Sequence, residues 1–198
     1  VLPPAASRAA RPLALLVSLA TLALAIVVAA GFEPGGERYQ FIEAREWIPS
    51  FGATYSLGVD GIALVMVLLA TALMPLLLLA GWRDTDAAPG PDAGPDARYG
   101  AAPDADGAAR VAVSRRTQAY PALMLATQGL ALVTFLSLDV LLFYVAFEAM
   151  LIPLYFLIGA FGGGTADGSE RARAAVRFLI YNLLGGLVML AALITLYV

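Results

Sequence analysis

Five stretches of nearly unbroken apolar residues divide the chain: about Leu13 to Ala30, Gly61 to Trp82, Ala119 to Leu136, Val140 to Ala160 and Phe178 to Val198. Each is about 18 to 22 residues long with few or no charges. A helix rising about 1.5 Å per residue needs roughly 20 residues to cross a ~30 Å hydrocarbon core, so the pattern predicts five transmembrane helices. The expected fold class is all-α, a polytopic bundle. Between the third and fourth stretches only Ser137-Leu138-Asp139 intervenes. These helices should form an antiparallel hairpin, with Ser137 or Asp139 capping the returning helix.

The polar segments divide the chain further. Residues 1–82 hold two helices and an intervening loop, Phe32 to Val59, which mixes Glu33, Glu37, Glu43 and Glu46 with two arginines and the aromatics Tyr39, Phe41, Trp47 and Tyr55. That loop reads as an interfacial segment with aromatic anchors. Residues 83–118 are rich in Pro, Ala, Asp and Gly, with a loose repeat at Pro91-Asp92-Ala93, Pro95-Asp96-Ala97 and Pro103-Asp104-Ala105. A segment with so little to bury is expected to be disordered. Asp104-Ala105-Asp106-Gly107 faintly resembles a calcium loop but lacks the later bidentate glutamate, so no metal site is expected. Residues 119–198 carry the last three helices. The first span has a rival reading as a secretory signal, with Arg8 and Arg11 ahead of it and Val28-Ala29-Ala30 at its end. Its apolar stretch exceeds the usual signal core, so an uncleaved helix is the expectation.

Composition changes the picture mainly by exclusion. With 61% hydrophobic residues and a mean hydropathy of +0.82, the chain needs lipid as a partner and solvent. It has neither cysteine nor histidine, which excludes thiolate-ligated clusters, disulfides and imidazole-held haem or zinc within it. No nucleic acid partner is expected. The chain has no lysine, so arginines alone report orientation. If the N-terminal segment is cytoplasmic, ten arginines fall inside and two, Arg38 and Arg45, fall outside. The positive-inside rule then makes the Pro/Asp-rich loop cytoplasmic in a cell inner (plasma) membrane protein.

Glu148 is the one formally charged side chain in the run Val140 to Ala160. A carboxyl near the bilayer midplane costs on the order of 3 kcal/mol on insertion scales, so a chain that keeps one is expected to use it. Helical spacing puts Leu141, Tyr144, Glu148, Leu151, Ile152 and Tyr155 on one face, with a tyrosine on either side of the acid. Pro153 supplies no N–H to the Ala149 carbonyl, and Pro75 leaves Thr71 in the same state. Freed backbone beside an acid is a place for water and hence for a proton relay. Helix glue is the alternative role for Glu148. Gln128, with Thr127, reads first as an interhelical hydrogen-bonding pair and second as part of a water path. Asn182, Gly185 and Gly186 should let two helices approach closely, and Asp60 should cap the second helix. Arg171, Arg173 and Arg177 read as interface anchors. No Gly-rich phosphate loop, dinucleotide fingerprint or nucleophile–base pair is present.

The segments FYVAFEAMLIPLYFLIGAFGG (143–163), RARAAVRFLIYNLLGGLVML (171–190) and WIPSFGATYSLGVDGIAL (47–64) resemble the M-subunit family of bacterial NADH–quinone oxidoreductases, respiratory complex I. The resemblance spans nearly the whole chain outside the Pro-Asp-Ala insert. It implies part of a fourteen-helix antiporter-like fold and proton pumping in which Glu148 takes the place of the family's essential glutamate. In the family that acid works with a lysine on a broken helix further along, beyond this sequence. The opening span resembles the family's second helix, so a fragment or truncated product is expected. The resemblance also implies other membrane subunits of complex I as partners, with FMN, iron–sulfur clusters and quinone in other subunits and no cofactor in this chain. The expected function is proton translocation coupled to NADH oxidation and quinone reduction elsewhere. Glu148 would carry the proton, with Tyr144, Tyr155 and Gln128 as weaker relay candidates. The alternatives are a subunit of a multi-component cation/proton antiporter and a structural membrane scaffold.

Overall fold

Helices form where the apolar runs lie, and they outlast them. The computed structural model describes residues 7–49, 52–81, 105–162 and 169–197. Its helices are α1 (Ser7–Gly31), α2 (Gly61–Ala80), α3 (Ala105–Leu136), α4 (Val140–Phe161) and α5 (Ser169–Tyr197). All five contain a stretch long and apolar enough to cross a membrane. The bundle is that of a multi-pass membrane protein.

The helix ends depart from the apolar boundaries in one direction. Residues 105–118, expected to belong to a disordered loop, are helical and continuous with the third span. Alanine and arginine are strong helix formers, and extending an existing helix needs no new nucleus. The remainder of that expected loop, residues 83–104 with the Pro-Asp-Ala repeat and Asp104, lies outside the described residues. The fifth helix likewise starts at Ser169, ahead of its apolar stretch, and takes Arg171, Arg173 and Arg177 into its first turns.

The loop between α1 and α2 adds a small element of strand to the helical bundle. It folds as an antiparallel hairpin of β1 (Gln40–Ile48) and β2 (Ala53–Val59). Gly52 turns the chain at φ 63°. Phe41 has φ 55° and falls within the register shift between Gln40 and Glu43, as an extra residue in a bulge does. Its ring lies over Gly31, where a Cβ would come within 3.3 Å of Phe41 Cζ, so the start of the hairpin rests on the end of α1.

The hairpin also grips the α3–α4 turn. Ser56 O accepts a hydrogen bond from Leu138 N at 2.9 Å. Asp139 Oδ2 accepts from Thr54 N at 3.0 Å and from the Thr54 hydroxyl at 3.3 Å. Its other oxygen, Oδ1, accepts from Leu141 N and Leu142 N at 2.8 and 3.0 Å, the N-cap the sequence leads one to expect. Asp60 caps α2 by accepting from Ala63 N at 2.7 Å. The α1–α2 connection and the α3–α4 turn therefore share one end of the bundle, as strict alternation of spans requires.

Helix packing inverts the rule for proteins in water. Many of the residues hidden between helices are small, Ala14, Ser18, Ala25, Ala63, Thr71, Ala146 and Ala175 among them, beside the larger Val67, Met74, Leu78, Leu142 and Leu151. Large side chains such as Leu16, Leu24, Val27, Ile62, Leu76 and Val188 point outward. Lipid is as apolar as leucine, so burying leucine gains nothing there, and close backbone approach decides the packing. Thr71 meets its own need by donating to Val67 O at 2.7 Å. α1 packs between α2 and α3, with Ala14, Met74 and Leu78 at the centre of their contact and Met124 and Leu125 against it. α4 then packs on α3, and α5 on α4.

Candidate functional site: the buried carboxyl of α4

Glu148 lies eight residues into α4, about 12 Å from its capped end at 1.5 Å per residue. The run around it is apolar on every side, so the helix forms on propensity and span length, and the acid is carried into the membrane interior by its neighbours. Its Oε1 atom is buried and has no hydrogen-bond partner among the described residues. An unsatisfied buried acceptor costs about 1–3 kcal/mol, which makes this the most conspicuous polar defect in the helix.

The carboxyl faces α5. A Cβ placed on Gly186 would collide with Glu148 Oε1 and come within 2.6 Å of its Cδ. Closer to the other end of the same pair, a Cβ on Gly159 would meet Ala175 Cβ at 3.5 Å. The interval from Gly159 back to Glu148 equals that from Ala175 forward to Gly186, so one antiparallel register explains both contacts. The expectation that Gly186 permits close helix approach holds, and the group approaching it is the acid. Asn182, grouped with the glycines, turns inward on its own helix and donates to Phe178 O at 2.8 Å.

The relay candidates are not brought into direct contact with the acid. Tyr144 and Tyr155 are half-buried on α4, one turn before and two turns after Glu148, and neither hydroxyl reaches Oε1. The Tyr155 ring instead meets Phe156 edge-on, with centroids 5.4 Å apart. Ile152, placed on the same face by helical spacing, is 59% exposed and packs against no other helix among the described residues.

Gln128 is buried on α3, yet its Nε2 has no hydrogen-bond partner among the described residues. The interhelical hydrogen bond expected of it is therefore not made through that nitrogen. Thr127, its companion, donates within its own helix to Leu123 O at 2.9 Å. The Ser137–Asp139 turn at one end and the Tyr120–Phe161 ring contact at the other bracket the α3–α4 pair. Between those limits Gln128 stands level with the stretch from Glu148 to Pro153. An orphan donor, an orphan carboxyl oxygen and the Ala149 carbonyl that Pro153 cannot serve thus occupy one slab of the hairpin. Such groups can be satisfied together by internal water, which typically makes about three hydrogen bonds.

Replacing Gln128 with leucine is expected to leave thermal stability unchanged or slightly raised, because it removes an unpaired amide and breaks no bond to Nε2. A melting temperature lowered by several degrees would show that the amide bonds across the helices after all.

Comparison with known proteins bears on this site directly. Residues 137–198, which hold Glu148 and Gly186, match the family described as "NADH:quinone oxidoreductase/Mrp antiporter, TM". Across 100% of its length the chain is 56% identical to NADH-quinone oxidoreductase subunit M of Mycobacterium tuberculosis. It is 34% identical over 98% of its length to the subunit of that name from Rhodobacter capsulatus. It is 29% identical over 91% of its length to F(420)H(2) dehydrogenase subunit M of Methanosarcina mazei. The chain spans about a third of each of these relatives, 35%, 31% and 30% of their respective lengths. A bundle of membrane-crossing helices with a carboxyl inside it, the chain is similar over its whole length to about a third of NADH-quinone oxidoreductase subunit M.

Proposed function

We propose that this chain is a proton-translocating part of an NADH–quinone oxidoreductase membrane subunit, with Glu148 as the group that takes up and releases the proton. The observation that carries the reading is the buried, unpartnered Oε1 of Glu148 within a chain related from end to end to subunit M. Moving a proton against 100 mV requires about 2.3 kcal/mol. A change of surroundings that supplies or withdraws one or two hydrogen bonds to a charged group is of that size, about 1.5–3 kcal/mol each. Water recruited to the slab shared with Gln128 and the Ala149 carbonyl would be such a change, with Tyr144 and Tyr155 as further solvating hydroxyls. We assign electron transfer, with FMN, the iron–sulfur clusters and quinone, to partner subunits, because this sequence has no cysteine or histidine to ligate a cluster or haem. A relative named for F(420)H(2) dehydrogenase accords with this division, since a similar chain is named for a different electron donor.

The arginine distribution supports a cytoplasmic origin for α1 and the outer side for the β-hairpin and the α3–α4 turn, in a plasma membrane. The shared end of those two segments is what such a threading demands. The family description also names Mrp antiporters, which favours cation/proton antiport as the second reading. Purification of the intact complex and vesicle transport assays separate the two. Co-purifying NADH-oxidising subunits and proton uptake indifferent to sodium are expected. Transport that requires sodium, from a complex that oxidises no NADH, would transfer the chain to the antiporters.

A further inference from the structure

We infer that Gly186 is a positioning residue for Glu148, its absent side chain leaving the seat in which the carboxyl rests; this deepens the proton-carrier reading and depends on it. Three observations carry the inference. The three heavy atoms nearest to a Cβ built on Gly186 are all in the Glu148 carboxyl: Oε1, Cδ at 2.6 Å and Oε2 at 3.2 Å. Oε1 therefore fills the volume that any other residue would claim. The adjacent Gly185 has nothing within 4 Å of such a Cβ, so the two glycines differ in role although they are neighbours in sequence. Gly186 is buried and Gly185 exposed.

The chemistry of the seat follows from what lines it. Helical backbone has its N–H groups engaged within the helix, so α5 offers the carboxyl a close wall and no donor. Oε1 is accordingly packed but unbonded, available to whatever donor arrives. A glycine in a helix interior is disfavoured relative to alanine, and here the void it provides is occupied by the acid. An alanine would push the carboxyl out of the α4–α5 contact or force the helices apart.

The test uses the full subunit in the assembled oxidoreductase, with complex yield, NADH-driven proton uptake per electron in vesicles, and the infrared carboxyl stretch of protonated Glu148 as readouts. Gly186→Ala is expected to lower proton uptake per electron by about tenfold or more, since misplacing a reacting group by an ångström can cost roughly 100-fold. It should also shift the carboxyl stretch, whereas Gly185→Ala should change neither. In a Glu148→Asp background, whose carboxyl is one methylene shorter, Gly186→Ala should cause no further loss. If Gly186→Ala alone fails to assemble, assembly is expected to return in the Glu148→Asp/Gly186→Ala double variant. Wild-type behaviour of Gly186→Ala, an equal loss in both backgrounds, or failure of both variants to assemble would overturn the inference. Normal pumping by Glu148→Gln would remove the proton-carrier reading alone. The infrared band and the assembly rescue would still decide whether Gly186 seats the carboxyl.

Discussion

Glu148→Gln is expected to cut proton uptake per electron by at least about tenfold, well within the roughly 100-fold or more that a positioned acid or base supplies. Glutamine has the same length and shape, so it fits the space beside Gly186 that the carboxyl occupies. It cannot take up and release a proton near neutral pH. Assembly should survive, because the substitution removes no hydrogen bond to Oε1 and replaces an ionisable group in oil by a neutral one. This pairing of outcomes separates the proton carrier from helix glue. A scaffold role predicts the reverse: reduced complex yield with normal proton uptake in each complex that forms. Undiminished pumping by the glutamine variant would refute the assignment of Glu148 as carrier.

The second large effect is expected at Asp139, on stability. Its two carboxylate oxygens accept from Leu141 N, Leu142 N, Thr54 N and the Thr54 hydroxyl, so one side chain both starts α4 and ties it to the β-hairpin. Loss of an N-cap costs typically about 1 kcal/mol, and a stranded donor adds about 1 kcal/mol or more. Asp139→Ala should therefore loosen this end of the bundle by about 2 kcal/mol. Amide exchange at Thr54, Leu141 and Leu142 should then speed up together by roughly 30-fold, at a factor of ten per 1.4 kcal/mol. Asp139→Asn should cost less, since asparagine caps nearly as well. Unchanged exchange at Thr54 would show that the tie carries no energy.

Acid should mimic the alanine variant. Burial pushes the Asp139 carboxyl up, but the bonds from Thr54 N, Leu142 N, Leu141 N and the Thr54 hydroxyl together hold it below its ordinary value of 3.8. A carboxyl depressed in the folded state binds protons more readily when unfolded. Its contribution is thus complete above 3.8 and disappears as the pH falls through the lower folded value. Exchange at the same three amides, followed across that range, checks the sign.

The sequence made the spans legible because length and unbroken hydropathy do not depend on neighbours. Its errors cluster where neighbours matter. β1 escaped notice because residues 41–47 are exposed on both sides, which removes the one-sided alternation that marks a strand resting on a core. The start of α3 was placed too late because charge in the 105–118 segment hid its helix-forming alanines and arginines. At the site, Glu148 stood out as a charge in an apolar run, and Gly186 was readable as a point of close approach. That the two meet depends on the register of α4 against α5, which a single sequence does not encode locally. The Thr54–Asp139 tie joins residues 85 apart and was beyond reach for the same reason.

The inverted packing also decides where this protein can vary. Exchange of one bulky aliphatic for another on the outward faces, at Leu16, Ile62 or Val188, disturbs no contact between these five helices. A single added methyl at Ser18, Ala146 or Ala175 enters a fully packed contact between helices. Tolerance to mutation should therefore follow contact rather than size: the outward aliphatics are free to drift, while the small residues at the helix contacts, with Met74, Leu78, Leu142 and Leu151, are not.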